Sequence, residues 1–254
     1  MYYKSKEKIA IFVVRNIKTA QVMRVAIVGY GKMGHEIEKI LVERGHCVAL
    51  KIDVDNRQEM LTKEAFEGVD VAIEFTSPAT AYDNIVECLH LGVPVLSGST
   101  GWLERKAEVD ALCKELGGRF FYASNYSLGV NVLFRLNRWL ARVMAGMPQY
   151  GVKIEETHHI HKLDAPSGTA ATLAEEMAAA SEGRVSVAKE EIISYREGEV
   201  PGIHTITYES EEDTLVVSHS AKSRRGLALG AVLATEWLIE QSAGVYSMDD
   251  FLAI

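Results

Sequence analysis

The chain has only three cysteines in 254 residues, Cys47, Cys88 and Cys113. Their odd number, wide spacing and apolar or helical surroundings argue against a disulfide frame or a zinc site. They read as reduced thiols of a cytoplasmic protein. Long apolar runs are missing too, since none approaches the roughly 20 residues a membrane helix needs. Positive charge is scarce: 27 Lys and Arg against 35 Asp and Glu give a formal net charge of -8. That balance argues against a protein whose main partner is nucleic acid. An anionic small ligand is not excluded, because a local cluster of donors outweighs an average field. There is no internal repeat and no low-complexity segment. What is present, 48% hydrophobic and 24% charged residues, is ordinary for a soluble enzyme of one large domain or two moderate ones.

Residues 1–22 carry Lys4, Lys6, Lys8, Arg15 and Lys18 around a short apolar run at 9–14. The run is shorter than the roughly 7–15 residues of a signal-peptide core, and no small-residue cleavage site follows it. The preferred reading is an extension ahead of a start at Met23 and outside the fold. A weakly ordered tail is the alternative.

From Met23 the pattern is strand, glycine turn, helix. Residues 24–28 are a short β-rich apolar run of the kind buried on both faces of a parallel sheet. Gly29-Tyr30-Gly31-Lys32-Met33-Gly34 follows, then apolar residues at helical spacing over 35–44. A second strand over 47–52 ends on Asp53, 19 residues beyond Gly34. This is the dinucleotide fingerprint in the context it needs. Gly29 permits the turn, Gly31 admits the pyrophosphate, and Gly34 lets helix and strand pack closely. The phosphates meet the amides of the helix N-terminus, and Asp53 accepts from the adenosine ribose. A flavodoxin-like turn without a dinucleotide is the alternative.

Strands at 69–76, 93–96 and 119–123, separated by helices, extend a doubly wound parallel sheet of Rossmann type. Their carboxyl-end loops supply Phe75 and Thr76, then Gly98, Ser99 and Thr100, then Ala123, Ser124, Asn125 and Tyr126. Ligands bind at that edge of such sheets, and small hydroxylated residues suit a nicotinamide and its ribose. After a helix over 130–144 the grammar changes. A strand over 152–156, an alanine-rich helix over 169–180 and three alternating segments (191–196, 204–209, 214–220) read as an inserted α+β domain on a mixed sheet, the three with antiparallel alternation. The last helix, 226–241, packs back on the first sheet. The expected division is 23–126 with 226–254 as the dinucleotide domain and 127–225 as the insertion.

The insertion carries His158-His159-Ile160-His161-Lys162-Leu163-Asp164-Ala165-Pro166-Ser167-Gly168-Thr169. In an extended chain His159 and His161 share one side and His158 the other, so the three do not easily converge on one ion. No cysteine, and no acid at helical spacing, completes a site, and no metal is expected. An imidazole near a cation is a natural proton donor. Lys162 attracts an anion, and Ser167-Gly168-Thr169 opens a helix whose amides and hydroxyls form a carboxylate cradle. Ser167 also reads as a plain helix cap. Together these suggest hydride reduction of a small anionic acceptor. A reductase of another keto or imino acid, or a nucleotide-sensing regulator, stands as the rival.

The segment from Glu156 to Thr169 resembles the signature of the dihydrodipicolinate reductase (4-hydroxy-tetrahydrodipicolinate reductase) family of diaminopimelate and lysine biosynthesis. Residues 29–34, 97–101, Ser124-Asn125-Tyr126-Ser127-Leu128-Gly129-Val130-Asn131 and His219-Ser220-Ala221-Lys222-Ser223-Arg224 support the resemblance, which runs from Met23 to the C-terminus. It implies a homotetramer built through the inserted sheets, using NADH or NADPH. It places the general acid on His158 and the catalytic lysine on Lys162. Substrate carboxylate contacts fall on His159, Ser167, Gly168 and Thr169, with Arg224 a weaker candidate. In the implied reaction water leaves the cyclic hydroxy-imine, hydride reaches the ring carbon, and His158 protonates the resulting enamine nitrogen or its tautomer. The chain departs from the family pattern twice. The segment between Asp53 and Val69 is short, and Ser77 stands where an arginine is common. Asp53 favours NADH, while Lys32, Lys51 and Arg57 lie close enough in sequence to accommodate a 2′-phosphate.

Overall fold

The computed structural model describes residues 21–253, so the expected extension at 1–22 lies almost wholly outside the described residues. Strand β1 (Arg24–Val28) is followed by α1 (Lys32–Glu43), β2 (Cys47–Ile52), the single turn α2 (Arg57–Met60), β3 (Val71–Glu74), α3 (Ala81–His90), β4 (Val95–Ser97), α4 (Lys106–Glu115) and β5 (Arg119–Tyr122). The chain continues through α5 (Leu128–Met144), β6 (Gly151–His158), α6 (Gly168–Ala180), β7 (Ile193–Arg196), β8 (Ile203–Glu209) and β9 (Thr214–Ser220). It closes with α7 (Arg225–Leu238), β10 (Gly244–Tyr246) and α8 (Met248–Leu252).

The first sheet is parallel throughout, in the order β10-β5-β4-β3-β1-β2. Its central strands are short β-branched runs because both faces are covered. Val25, Ile27, Val71 and Ile73 pack into one core, and Ala26, Val28, Ala72 and Val95 into the other. Each of these Val and Ile side chains, removed from water, stabilises the fold by about 1.5–3 kcal/mol. The chain leaves β1 for β2 on one side and returns to β3 on the other. The carboxyl ends of β1 and β3 therefore flank the crevice where open α/β sheets take ligands. Helix α7 lies against α1 and contributes Ala228, Ala231, Val232 and Leu238 to the first core, as the apolar C-terminal helix predicts. The sixth strand, β10, is too short to have shown in the pattern.

The second sheet has the order β7-β6-β8-β9. It is mixed as expected, but not where the alternation suggested. The strand pairs β6-β8 and β8-β9 are antiparallel, whereas β7 runs parallel to β6. The reason is α6, which carries the chain back to the starting end of β6 and so makes a crossover instead of a hairpin. One face of this sheet packs on α5 and α6 through Ile154, Ile206, Tyr208, Phe134 and Leu173. The other leaves Ile193, Tyr195 and Val216 exposed.

Candidate active site

The turn between β1 and α1 has the geometry its glycines require. Gly29 has φ +95°, and a Cβ on it would lie 2.0 Å from the Phe75 carbonyl oxygen; one on Gly34 would lie 2.5 Å from the Gly29 carbonyl. Gly31 opens on free space. It is the N-cap of α1, and no side chain caps that helix and no acid sits in its first turn. The amides at the positive end of α1 are left for a ligand. A cavity of about 640 Å³ lies over them, lined by Gly31, Lys32, His35, Glu36, Ser223, Arg224 and Arg225. Uncapped amides, a Cβ-free approach and cationic side chains opposite fit a dinucleotide pyrophosphate. Asp53 is exposed at the tip of β2, its Oδ1 accepting from the Val54 amide at 2.8 Å. Tyr30 lies against His35 with ring centroids 4.2 Å apart and hydrogen-bonds Glu38, while Met33 packs on the first core.

The loops after β3 and β4 are held by Glu74, a wholly buried acid that the sequence reading did not single out. Its Oε1 accepts from Ser99 Oγ at 2.7 Å, from Thr76 Oγ1 at 2.5 Å and from the Thr76 amide at 2.9 Å. Its Oε2 accepts from Ser97 Oγ at 2.6 Å. Among the predicted cofactor residues, Ser99 and Thr76 are thus occupied in shaping the loop. Gly98 packs on the Phe75 ring, and Thr100 is exposed. After β5, Ala123 and Tyr126 are buried, the latter donating to the Ser97 carbonyl at 2.7 Å. Ser124 is exposed, and Asn125 faces the inserted sheet, with Nδ2 3.3 Å from Thr169 Oγ1.

The opposite wall comes from the end of β6. The strand stops at His158 and the chain turns, Lys162 N donating to the His159 carbonyl at 3.1 Å. That turn removes the strict alternation expected of an extended chain. His158 and His159 both reach the cleft, while His161 points outward to pair with exposed Glu199 at 3.0 Å. The cleft holds about 410 Å³; Asn125 and Ser127 stand on the first-sheet side and His158, His159, Lys162, Thr169, Gly202, His204, His219 and Arg224 complete it. Arg224 and Ser223 line both cavities, which therefore adjoin. Ser167 is buried instead. It caps α6, its Oγ accepting from the Ala170 amide at 3.2 Å and lying 3.1 Å from His204 Nε2. Neither it nor Gly168 is among the residues lining this cleft, so the cradle there is reached through Thr169.

Behind His158 lies Glu156, its side chain wholly buried. Glu156 Oε2 comes within 2.5 Å of His158 Nδ1, close but not aligned as a hydrogen bond. Oε1 accepts from Arg196 Nη2 at 3.1 Å and from the Ser167 amide at 3.2 Å. Burial acts to raise this carboxyl's pKa, but His158, Ser194 and Ser167 outweigh it and hold the group well below the usual carboxylate range. The His204 ring lies 5.1 Å from that of His158, and burial, with His158 beside it, lowers its pKa to about 4. Burial likewise lowers that of His219. Lys162 Nζ is held by Asp164 at 2.8 and 2.9 Å. Glu156, His158 and His204 bring donor atoms within 4.8 Å of one another. The 2.5 Å approach is closer than two ligands of one tetrahedral ion stand, about 3.3 Å, so the trio reads as a carboxylate–imidazole pair with a second ring beside it. Glu156, Arg196, Gly202, His204 and His219 were missed from sequence. The inward phase of β6 and β8, which puts 156, 158 and 204 on one face, was the signal available.

Two family models match the chain, "Dihydrodipicolinate reductase, N-terminus" over residues 23–126 and "Dihydrodipicolinate reductase, C-terminus" over 129–252. The 4-hydroxy-tetrahydrodipicolinate reductase of Christiangramia forsetii is 45% identical over 238 residues, covering 91% of this chain and 98% of that protein. The enzyme of the same name from Akkermansia muciniphila is 36% identical, covering 88% and 95%. Among solved structures, a dipicolinate-bound dihydrodipicolinate reductase from Paenisporosarcina sp. TG-14 superposes with a TM-score of 0.71 at 20% identity. It covers 91% of this chain and 99% of its own, and shares the fold. The two-sheet architecture, the glycine turn and the histidine cleft therefore come together in one assignment: the chain belongs to the dihydrodipicolinate reductase family.

Proposed function

We propose that this chain reduces 4-hydroxy-tetrahydrodipicolinate to tetrahydrodipicolinate with His158 as proton donor and Lys162 as the cation that draws in the substrate. The protein is an oxidoreductase, and its cofactor is a nicotinamide dinucleotide. The observation that carries the residue roles is the 410 Å³ cleft, lined together by Asn125, Ser127, His158, His159, Lys162 and Thr169 and large enough for a small ring.

When bound, the dinucleotide supplies a hydride to the ring carbon of the conjugated imine. Loss of water from the ring, one hydride and one proton account for the product. His158 holds that proton at Nε2, the ring nitrogen beside Gly202 on the cleft wall. A substrate carboxylate displaces Asp164 from Lys162. The partly buried His159, which lines the cleft, and the Thr169 hydroxyl at the start of α6 take the remaining carboxylate oxygens. Gly29 to Gly34 seat the pyrophosphate. Phe75, Thr76, Gly98, Ser99, Thr100 and residues 123–126 frame the nicotinamide end. NADH is the preferred form. Asp53 repels a 2′-phosphate, Lys51 is paired with Glu38 at 2.6 Å, and Arg57 is engaged by Asn84 and Glu87.

The division into a dinucleotide unit (23–126 with 226–254) and an inserted unit (127–225) belongs to the same proposal, as does assembly into a homotetramer through the second sheet. Its uncovered apolar residues, together with exposed Val132, Leu136 and Trp139 on α5, support that assembly; light scattering giving a monomer would remove it. A cytoplasmic location is proposed on the free state of Cys47, Cys88 and Cys113. Among the described residues no helix is long and apolar enough to cross a membrane.

The direct test is a coupled assay with the condensation product of pyruvate and aspartate semialdehyde, run with NADH and NADPH in parallel. His158→Gln and Lys162→Ala are expected to lower turnover by about 10²–10⁴-fold with cofactor affinity nearly intact. Full turnover in both variants sinks the assigned roles, and a higher kcat/KM with NADPH sinks the cofactor preference.

A further inference from the structure

We infer that Glu156 is a positioning residue that holds the His158 ring with Nδ1 toward its carboxylate, and that Gly202 leaves the ring's working nitrogen uncovered. The inference rests on His158 being the proton donor.

The geometry divides the Glu156 carboxylate into two tasks. Oε1 is tied to Arg196 of β7 and to the amide of Ser167 at the start of α6. Oε2 and His158 Nδ1 are buried, and neither has another hydrogen-bond partner. The two atoms lie 2.5 Å apart. Hydrogen bonds of this kind are often poorly aligned before substrate binds. With Nδ1 turned to the carboxylate, Nε2 is left for the cleft. There Gly202, at φ +151°, packs so tightly that a Cβ on it would sit 3.0 Å from Nε2. Only a glycine leaves that atom free to reach a substrate nitrogen.

The groups facing His158 come from every strand of the sheet and from the turn. Glu156 lies on its own strand, Arg196 on β7, His204 on β8 and His219 on β9, with His159 and Lys162 just beyond the strand end. Arg196 is neutralised by Oε1, and Lys162 is held by Asp164. His204 and His219 are pushed toward the neutral form by burial. The single Glu156 carboxylate is thus shared between Arg196 and the imidazole, and its contact with Nδ1 fixes the orientation and tautomer of the ring.

The experiment measures kcat and KM for the wild type, His158→Gln, Glu156→Gln, Glu156→Asp and Gly202→Ala, with cofactor titration of each. In Glu156→Gln kcat falls by about tenfold or more at unchanged cofactor affinity, and Glu156→Asp restores part of it. Gly202→Ala loses turnover at unchanged cofactor affinity. Wild-type kcat in Glu156→Gln overturns the inference, as does full turnover in Gly202→Ala. If His158→Gln keeps its turnover, the proton-donor reading itself fails; if it loses turnover and Glu156→Gln does not, only the positioning role fails. Nitrogen-15 spectra of the wild-type enzyme need no variant to fold. Neutral His158 carries its proton on Nδ1, and a neutral ring protonated on Nε2 overturns the inference.

Discussion

Glu74 and Glu156 are both fully buried acids near the carboxyl ends of strands, one in each sheet, and they are surrounded differently. Glu74 meets only neutral donors, the hydroxyls of Thr76, Ser97 and Ser99 and one amide. Glu156 meets an arginine and an imidazole. The same contrast holds at helix starts. The N-terminus of α1 has no side-chain cap, whereas Ser167 caps α6. The dinucleotide side thus offers fixed dipoles and shape, which suit a ligand whose charge does not change. The inserted side offers groups that gain and lose protons, which suit the step where a proton moves. On the proposed function, one sheet binds through backbone and the other reacts through side chains.

The largest expected break is Gly29→Ala. It forces a Cβ onto the Phe75 carbonyl at a positive φ, and costs about 4 kcal/mol from strain and overpacking together. Thermal melting and cofactor titration read it: a lower Tm and lost dinucleotide binding are expected, and wild-type binding would contradict the geometry. Acid acts on the other half. His204 has a folded pKa of about 4 against 6.5, so in the native state it resists protonation. Above pH 6.5 it is neutral in both states and contributes no pH dependence. Between 6.5 and about 4 the unfolded chain takes up the proton first, and stability falls by about 3 kcal/mol. Glu156 is depressed, so its contribution is present above the usual carboxylate pKa and is lost as pH falls below it. Urea midpoints across pH 4.5–7.5 are expected to flatten in His204→Asn; an unchanged slope would show that His204 is not the acid-sensitive group.

Glu74→Gln sharpens the contrast. Weakening hydrogen bonds to a charged acceptor costs about 2 kcal/mol, and the loops after β3 and β4 loosen. The expected outcome is a several-fold rise in KM for the cofactor with kcat nearly unchanged. A large loss of kcat at unchanged cofactor KM would erase the distinction between the two acids.

The parallel sheet was legible because its signals are local. Short β-branched runs, a glycine turn and an acid 19 residues on require no knowledge of distant neighbours. The second sheet was legible only as strands. That β7 pairs parallel to β6 follows from where α6 returns the chain, which periodicity does not encode. The site divides the same way. His158, Lys162 and Thr169 stand in one run of sequence and were found together. His204 and Gly202 reach the cleft, and Arg196 reaches Glu156, only through strand pairing, and Glu156 drew no role because a buried acid on a strand has no local signature. Ser167 was read both as cradle and as cap, since the same residue type serves either at a helix start.

Ser167→Ala separates those two roles and carries the smallest expected effect. Its hydroxyl satisfies the Ala170 amide and meets His204 Nε2, so truncation removes a cap worth about 1 kcal/mol. For a chain of this size that lowers Tm by about 2–4 °C. Its backbone amide still reaches Glu156, and the Thr169 hydroxyl still faces the cleft. If Ser167 is chiefly a cap, KM for the dicarboxylate stays within about twofold and kcat holds. If its hydroxyl binds a carboxylate oxygen directly, losing a charge-assisted hydrogen bond of about 1.5–3 kcal/mol raises KM more than tenfold at nearly constant Tm. The burial of the hydroxyl behind His204 favours the first outcome. A large KM effect would mean that the second sheet, like the first, also binds through its helix start.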